Sequence, residues 1–80
     1  SLVTLFNWEP NEFLEKTRGS PIRRIGHERW LRNLAVGLGN ATGSEEILNE
    51  LQAKSDHPSA LVREHVQWAI DQQQQKLNFE

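Results

Sequence analysis

The chain contains no cysteine among its 80 residues. It can therefore form no disulfide, and it can offer no thiolate to an iron–sulfur cluster or to a zinc site. Its three histidines, at positions 27, 57 and 65, lack the spacing of metal ligands, so no metal site is predicted. A domain of this size has to be held together by the packing of one small core.

Long apolar runs are missing as well. No segment reaches the roughly 18 apolar residues of a membrane-spanning helix, and none has the pattern of a signal peptide. We therefore expect a cytoplasmic protein that makes no membrane contact. The opening SLVTLFNW has neither an initiator Met nor a polar start. It predicts that residues 1–8 link this domain to upstream domains, with hydrophobic side chains that pack on the domain or on a neighbour.

Alternation with period two is also absent, so no strand is predicted and the fold class is all-α. Residues that favour helix starts recur along the chain. They predict about four main helices. The first is opened by Pro10 and stopped by Gly19; the second follows a turn at 21–25 that Ser20-Pro21 starts, covers about 27–38 and is ended by Gly39-Asn40. The third is capped by Ser44, and the fourth is opened by Pro58 and capped by Asp56 or His57.

Helical spacing places apolar residues on one face of each predicted helix. The expected core comprises Phe13, Leu14, Trp30, Leu31, Leu34, Ala35, Leu38, Ile47, Leu48, Leu51, Leu61, Val62, Val66, Ala69 and Leu77. His65 falls within the apolar stripe of the last helix and is expected to be a hydrogen-bonded core histidine. Core packing is also the expected role of Trp8 and Trp68, although an aromatic ring can instead stack on a nucleic-acid base.

Two segments repeat at an interval of 31 residues. LRNLAVGLG (31–39) aligns with VREHVQWAI (62–70), and each follows a shorter amphipathic helix. Helix pairs at such an interval indicate an α-solenoid, and the Asp-x-Pro turn followed by Val-Arg resembles the HEAT repeat. We predict a HEAT-like domain over 9–80, with repeat one at about 9–40 and repeat two at about 44–77. Two units bury little surface, so the pair is expected to be a terminal module of a larger protein.

Positive charge is concentrated in one region. Residues 18–32 contain five arginines against one glutamate, whereas the remaining residues sum to −6. Arg23, Arg24 and Arg29 have no counterpart in the second repeat, and guanidinium groups near a helix start are suited to phosphate. His27 lies in line with them. These four residues are candidates for RNA binding; a solvated patch, or pairing with nearby glutamates (Glu12, Glu15 or Glu28), is the alternative.

Arg32 and Arg63 occupy equivalent places in the two repeats, which favours a packing role. In HEAT-like repeats, an arginine at this place resembles one that links the repeats by a hydrogen bond to an aspartate of the next turn. We therefore predict that Arg32 lies within hydrogen-bonding distance of Asp56. If it does not, Arg32 joins the RNA-binding candidates.

No catalytic constellation is apparent. Glu45 and Glu46 are adjacent and point to different sides, and the serines at 20, 44, 55 and 59 occupy cap or turn positions. We predict no catalytic residue in this chain.

Four strings carry a more specific resemblance: Trp8 with Phe13, GSPIRRIG (19–26), LRNLAVGLGN (31–40) and HPS-x-LVREHV-x-WA (57–69). Together they resemble the C-terminal portion of epoxyqueuosine reductase. The resemblance implies a parent enzyme with a cobalamin-binding domain, a ferredoxin-like domain with two [4Fe–4S] clusters, and this HEAT-like tail. It implies reduction of epoxyqueuosine to queuosine at the wobble position of certain tRNAs. A fragment without cysteine would not catalyse that reaction alone.

Two functions follow from the resemblance. In the first, the arginines hold the tRNA backbone near the anticodon while the other domains carry out the chemistry. In the second, the helices form a protein-interaction module or an intramolecular brace for the cobalamin-binding and ferredoxin-like domains. Phosphate contacts weaken steeply with salt and apolar docking does not, so salt dependence separates the two.

Overall fold

A computed structural model describes residues 1–78, which are all-helical with no strand in that range. The all-α prediction is therefore confirmed. Within these residues there are five α-helices rather than about four, together with one 3-10 helix. They are α1 (Leu2–Phe6), α2 (Pro10–Lys16), the 3-10 helix (Pro21–Ile25), α3 (Gly26–Asn40), α4 (Glu45–Gln52) and α5 (Ala60–Leu77). Within the same range, no helix has the length and apolar character needed to cross a membrane.

The additional helix is α1, which lies in the segment predicted to be a linker. The Ser1 hydroxyl caps it by accepting a hydrogen bond from the Thr4 amide at 3.3 Å. Phe6 is fully buried, and Val3 and Leu5 pack against the main core. The side chains of Val3, Leu5 and Phe6 thus pack on the domain itself, whereas Leu2 is 40% exposed.

Several predicted helix starts are confirmed. Pro10 is the first residue of α2, Ser20 caps the 3-10 helix, and Ser44 caps α4. The predicted caps of the last helix are wrong. Ser59 is the cap, because its hydroxyl accepts from the Val62 amide at 3.2 Å, and α5 therefore begins at Ala60.

The break predicted near Gly26 is present. Gly26 adopts a φ of +82°, a conformation that glycine reaches without steric cost, and it separates the 3-10 helix from α3. The predicted end of α3 at Gly39-Asn40 holds, but neither residue uses the left-handed conformation. Side chains from α5 satisfy carbonyl groups at the end of α3 instead.

Most of the predicted core is buried. The buried hydrophobic residues are Phe6, Phe13, Leu31, Leu34, Ala35, Leu38, Leu51, Val62, Val66, Ala69 and Ile70; Trp30, Ile47 and Leu48 are half-buried and pack against them. The prediction that Leu14 belongs to the core is wrong, because Leu14 is 44% exposed while its neighbour Phe13 is fully buried. The seven residues of α2 present only a narrow buried face.

The two longest helices, α3 and α5, pack side by side in parallel. At their starts, the Ser59 hydroxyl donates a hydrogen bond to the Glu28 carboxylate. At their ends, Gln73 donates to the Leu38 carbonyl oxygen at 2.8 Å. The first of these contacts spans 31 residues, the same interval that separates the repeated segments.

Candidate nucleic-acid interface

A short, well-defined turn presents the arginine pair Arg23 and Arg24. Gly19 and Gly26, with φ values of +79° and +82°, bound the 3-10 helix and allow sharp changes of direction at both ends. Between them, the Ser20 hydroxyl accepts a hydrogen bond from the Ile22 amide at 3.2 Å. The sequence Ser-Pro opens the helix and Gly closes it, so local residues alone explain its length.

Arg23 and Arg24 are exposed and line an open depression of about 490 Å³ together with Gly19, Ser20 and Pro21. Neither guanidinium makes a hydrogen bond or an ion pair to any other residue from 1 to 78. In that part of the chain the one ion pair joins Lys16 to Glu12 at 3.3 Å. The pairing of this patch with glutamates, which the sequence left open, is therefore not formed at these two arginines.

Arg29 is exposed on α3 and likewise has no ionic partner in the described range. It does not line the depression beside Arg23 and Arg24. The neighbouring Glu28 is occupied by the Ser59 hydroxyl, and Glu12 by Lys16. Three exposed guanidinium groups thus remain available to a ligand.

His27 has a structural role that the sequence did not reveal. Its Nε2 lies 2.7 Å from the Trp8 carbonyl oxygen, so this nitrogen donates, and its ring packs edge-on against Phe13 at 5.7 Å. The residue is half-buried. The expectation that His27 donates to phosphate is therefore not supported at Nε2, which is already engaged.

The predicted contact between Arg32 and Asp56 is absent. The Arg32 Nε instead donates to the Asn33 side-chain oxygen at 2.8 Å, and Asp56 is exposed without an ion pair within residues 1–78. Asp56 lies in the turn before Ser59, too early to face the middle of α3. Arg32 accordingly joins Arg23, Arg24 and Arg29 as a candidate.

Arg63 stabilises the loop before α5. One of its terminal nitrogens donates to the carbonyl oxygens of His57 and Pro58, at 2.7 and 2.9 Å. Its role is structural, as its place in the repeat suggested, and its partners are backbone oxygens of the preceding loop. Arg63 is therefore the arginine whose function is explained within the domain.

The same loop holds His57 in its neutral form. The Ser59 amide donates to the His57 Nδ1 at 3.0 Å, an arrangement that requires an unprotonated Nδ1. Burial, together with the positive charges of His27, Lys54 and Arg63, lowers the pKa of His57, while the Glu28 carboxylate opposes this effect. Protonation would remove the acceptor beside the cap of α5.

The three tryptophans divide into two groups. Trp8 and Trp30 stack with ring centroids 5.5 Å apart, and Phe13 lies 5.4 Å from Trp30, so these rings join the segment after α1 to α2 and α3. Trp68 is different: it is 39% exposed on the flank of α5. The prediction that the tryptophans pack in the core agrees with Trp8 and Trp30. Trp68 is only partly buried.

Gln73 and Lys76 were not singled out from the sequence. Gln73 is fully buried and donates to the Leu38 and Ala41 carbonyl oxygens while its own side-chain oxygen accepts from the Ser44 amide. Lys76 donates to the carbonyl oxygens of Gly39 and Ala41. Gln73 lies one turn beyond Ala69 on the buried stripe of α5, which is the signal that could have identified it.

The residues of this chain do not fit the iron–sulfur clusters that the resemblance implies for the parent enzyme. Thiolates are the ligands of such clusters, and the sequence contains no cysteine. Within residues 1–78, no three acidic or histidine side chains converge as a metal site would require. We assign no residue here to the clusters or to cobalamin.

Comparison with known proteins identifies close relatives. The chain is 62% identical over 72 residues to "Epoxyqueuosine reductase" of Xanthomonas campestris, which covers 90% of the chain and 20% of that protein. It is 59% identical to the protein of the same name from Pseudomonas aeruginosa (86% of the chain, 19% of that protein) and 54% identical to that of Escherichia coli (96% and 20%). No family model and no solved structure gives a significant match.

The chain spans about a fifth of the length of these curated relatives. Sequence identity above 50% over nearly the whole chain establishes that these proteins are homologous to it. The resemblance noted in the sequence is therefore confirmed: the chain is related to one region of the epoxyqueuosine reductases.

Proposed function

We propose that this domain is a C-terminal accessory module of an epoxyqueuosine reductase, and that it helps to bind tRNA for reduction of epoxyqueuosine to queuosine at the wobble position. The observation that carries the proposal is the exposed pair Arg23 and Arg24, which has no partner among residues 1–78. The names of the relatives support the parent activity.

The arrangement of charge supports contact with a polyanion. Arg23, Arg24 and Arg29 carry positive charge, whereas the chain outside 18–32 sums to −6. Arg23 and Arg24 line the same depression, where two unpaired cations repel one another and a bound phosphate relieves that repulsion. The guanidinium fork also binds phosphate oxygens with two parallel hydrogen bonds, which a lysine cannot do.

The remaining parts of the proposal concern architecture. The parallel packing of α3 on α5, with a contact at the 31-residue interval, supports a HEAT-like pair of repeats over about 9–40 and 44–77. In this proposal, the parent enzyme is cytoplasmic, and its other domains bind cobalamin and two [4Fe–4S] clusters. The chain's own contribution is to hold tRNA near the anticodon.

The test is tRNA binding by the full-length enzyme in a series of salt concentrations. We expect Arg23→Ala, Arg24→Ala and Arg29→Ala each to lower affinity and to reduce the salt slope by about one unit for every phosphate that the variant no longer binds. Arg63→Ala is the matched control, since it removes an arginine that binds backbone oxygens. Unchanged affinity and slope in all three variants would refute tRNA binding through this patch.

A second function is favoured by one specific observation. Ile22 and Ile25, on the same 3-10 helix, are 44% and 38% exposed. Exposed aliphatic side chains beside arginines suit docking against another domain of the parent enzyme. In that case, Ile22→Ser would weaken the association of the domain with the rest of the enzyme at all salt concentrations, and the arginine variants would leave tRNA affinity unchanged.

A further inference from the structure

A second depression lies on the flank of the α3–α5 pair, away from the 3-10 helix. Its volume is about 290 Å³, and Val36 of α3 and Glu64, His65 and Trp68 of α5 line it. We call it the Trp68 cleft. None of its residues lines the depression beside Arg23 and Arg24, so the two are separate features.

The indole ring in the Trp68 cleft is partly exposed and also packs against α3. A Cβ atom added to Gly39 would lie 2.6 Å from the Cζ3 atom of Trp68, so one edge of the ring packs directly on the bare backbone of α3. The residue is nevertheless 39% exposed. An aromatic side chain that already packs along one edge loses less entropy when a flat ligand stacks on it than a fully exposed one does.

The polar groups of the cleft are hydrogen-bond acceptors. Glu64 is exposed and makes no hydrogen bond to any residue from 1 to 78. The Nδ1 of His65 lies 2.9 Å from the Leu61 carbonyl oxygen and therefore donates to it, which leaves Nε2 as an acceptor in the neutral ring. A ligand that stacks on Trp68 would satisfy these acceptors if its edge carried N–H donors.

Positive charge approaches the cleft along α3. Arg29, Arg32 and Val36 are spaced by three and four residues, so they share one side of the helix. Arg32 therefore lies one turn before the wall of the cleft formed by Val36. A ligand with a phosphate on one side and a flat base on the other matches this order of groups.

We propose that the Trp68 cleft binds one unpaired RNA base, which stacks on Trp68 and donates its amino group to Glu64, while Arg32 contacts the adjoining phosphate. The proposal rests on the proposed function and adds a site to it. Cytosine is the simplest such base, because its N4 amino group donates and a carboxylate can accept from it. Uracil carries an oxygen at that position and would be repelled by Glu64.

The first experiment compares Trp68→Ala and Trp68→Phe in the full-length enzyme. The probes are an RNA hairpin with an unpaired loop and a blunt RNA duplex of the same length. We expect the alanine variant to bind the hairpin roughly tenfold more weakly, since base stacking on an aromatic ring contributes on this order. The phenylalanine variant should retain most of the affinity, and duplex binding should not change in either variant.

The proposal would be overturned if the alanine variant bound the hairpin as tightly as the wild type does. It would also be overturned if the affinities for hairpin and duplex decreased equally.

Because Trp68 also packs on Gly39, a second variant avoids any folding defect. Glu64 is exposed, so Glu64→Gln tests the cleft without disturbing the core. The probes here are single-stranded oligocytidylate and oligouridylate, which have rings of the same size.

We expect the wild-type enzyme to prefer oligocytidylate several-fold and Glu64→Gln to abolish that preference. Equal binding of both oligomers by the wild-type enzyme would contradict the role of Glu64. The result also separates this proposal from the proposed function. If Arg23→Ala and Arg24→Ala weaken tRNA binding while the Trp68 variants do not, only the cleft is refuted; if the reverse holds, only the arginine pair is refuted.

Discussion

The segments that adjoin the two ends of α3 differ in whether their polar side chains have partners. At the C-terminal end, Gln73 and Lys76 of α5 donate to the Leu38 and Gly39 carbonyl oxygens of the helix. Before the N-terminal end, the 3-10 helix presents Arg23 and Arg24 with no partner in residues 1–78. The difference separates side chains that hold the fold from side chains that remain available to a ligand.

The largest decrease in stability is expected from Gln73→Leu. Leucine fills a similar volume but leaves the Leu38 carbonyl and the Ser44 amide without their Gln73 partner. The substitution removes three hydrogen bonds, the third being that to the Ala41 carbonyl oxygen, and the Leu38 carbonyl oxygen keeps only the Ala41 amide as a donor. A hydrogen bond contributes about 1 kcal/mol, so we expect the free energy of unfolding to fall by about 3 kcal/mol. Chemical denaturation measures it. Gln75→Leu, exposed on the same helix, is the control and should change stability by less than about 0.5 kcal/mol.

A smaller effect with opposite signs is expected at two glycines of α3. Gly39→Ala places a Cβ atom 2.6 Å from Trp68 and 2.9 Å from the Ala69 backbone, so it should destabilise the fold by about 2 kcal/mol. Gly37→Ala meets only the end of the Leu2 side chain at 3.3 Å. It should be neutral or stabilising by up to about 1 kcal/mol, because alanine favours the helix. Thermal unfolding of both variants distinguishes the effect of close packing from that of helix propensity. Equal changes in the stability of the two variants would contradict this prediction.

The next expected effect is a dependence of stability on pH at His57. Burial and nearby cations lower the pKa of His57 below 6.5, so the unfolded chain takes up a proton first as the pH falls. This contribution to stability is complete above pH 6.5 and disappears between 6.5 and the lower pKa of the folded state. His57→Asn keeps a side-chain acceptor for the Ser59 amide but cannot titrate.

Unfolding curves across the acidic range, recorded for the wild type and His57→Asn, measure this difference. The variant should lack that part of the pH dependence. His65→Asn is the control and should retain it, since His57 is still present. Parallel curves for the wild type and His57→Asn would show that His57 does not control the acid sensitivity of the α5 start.

The sequence predicted elements that depend on local residues. Ser20, Ser44 and Pro10 start helices where their chemistry requires, and apolar spacing identified the buried faces of α3 and α5. What it missed depends on contacts between distant segments. Gln73 looks like any residue of a glutamine run until α5 lies beside the end of α3, and Leu14 looks apolar although α2 buries only Phe13.

The candidate site was predictable to a similar degree. The concentration of arginines is visible in the sequence, and the exposure of Arg23, Arg24 and Arg29 follows from the absence of a packing role. The engagement of His27 by Trp8, and the Asn33 partner that Arg32 has in place of Asp56, required the three-dimensional arrangement. The sequence pattern alone does not indicate which polar side chains will hydrogen-bond to groups of a distant segment.

The comparison of the two segments implies that side chains with partners stabilise the fold, whereas side chains without partners bind the ligand. Arg63 is an arginine of the first kind, and Arg23 and Arg24 are arginines of the second kind. The most direct test combines two readouts on two variants of the full-length enzyme: the free energy of unfolding and the affinity for tRNA at low salt. Arg23→Ala with Arg24→Ala should leave stability within about 0.5 kcal/mol of the wild type and weaken tRNA binding. Arg63→Ala should lower stability by about 1 kcal/mol and leave tRNA affinity unchanged. A decrease in stability without a decrease in affinity in the Arg23 and Arg24 double variant would contradict the account.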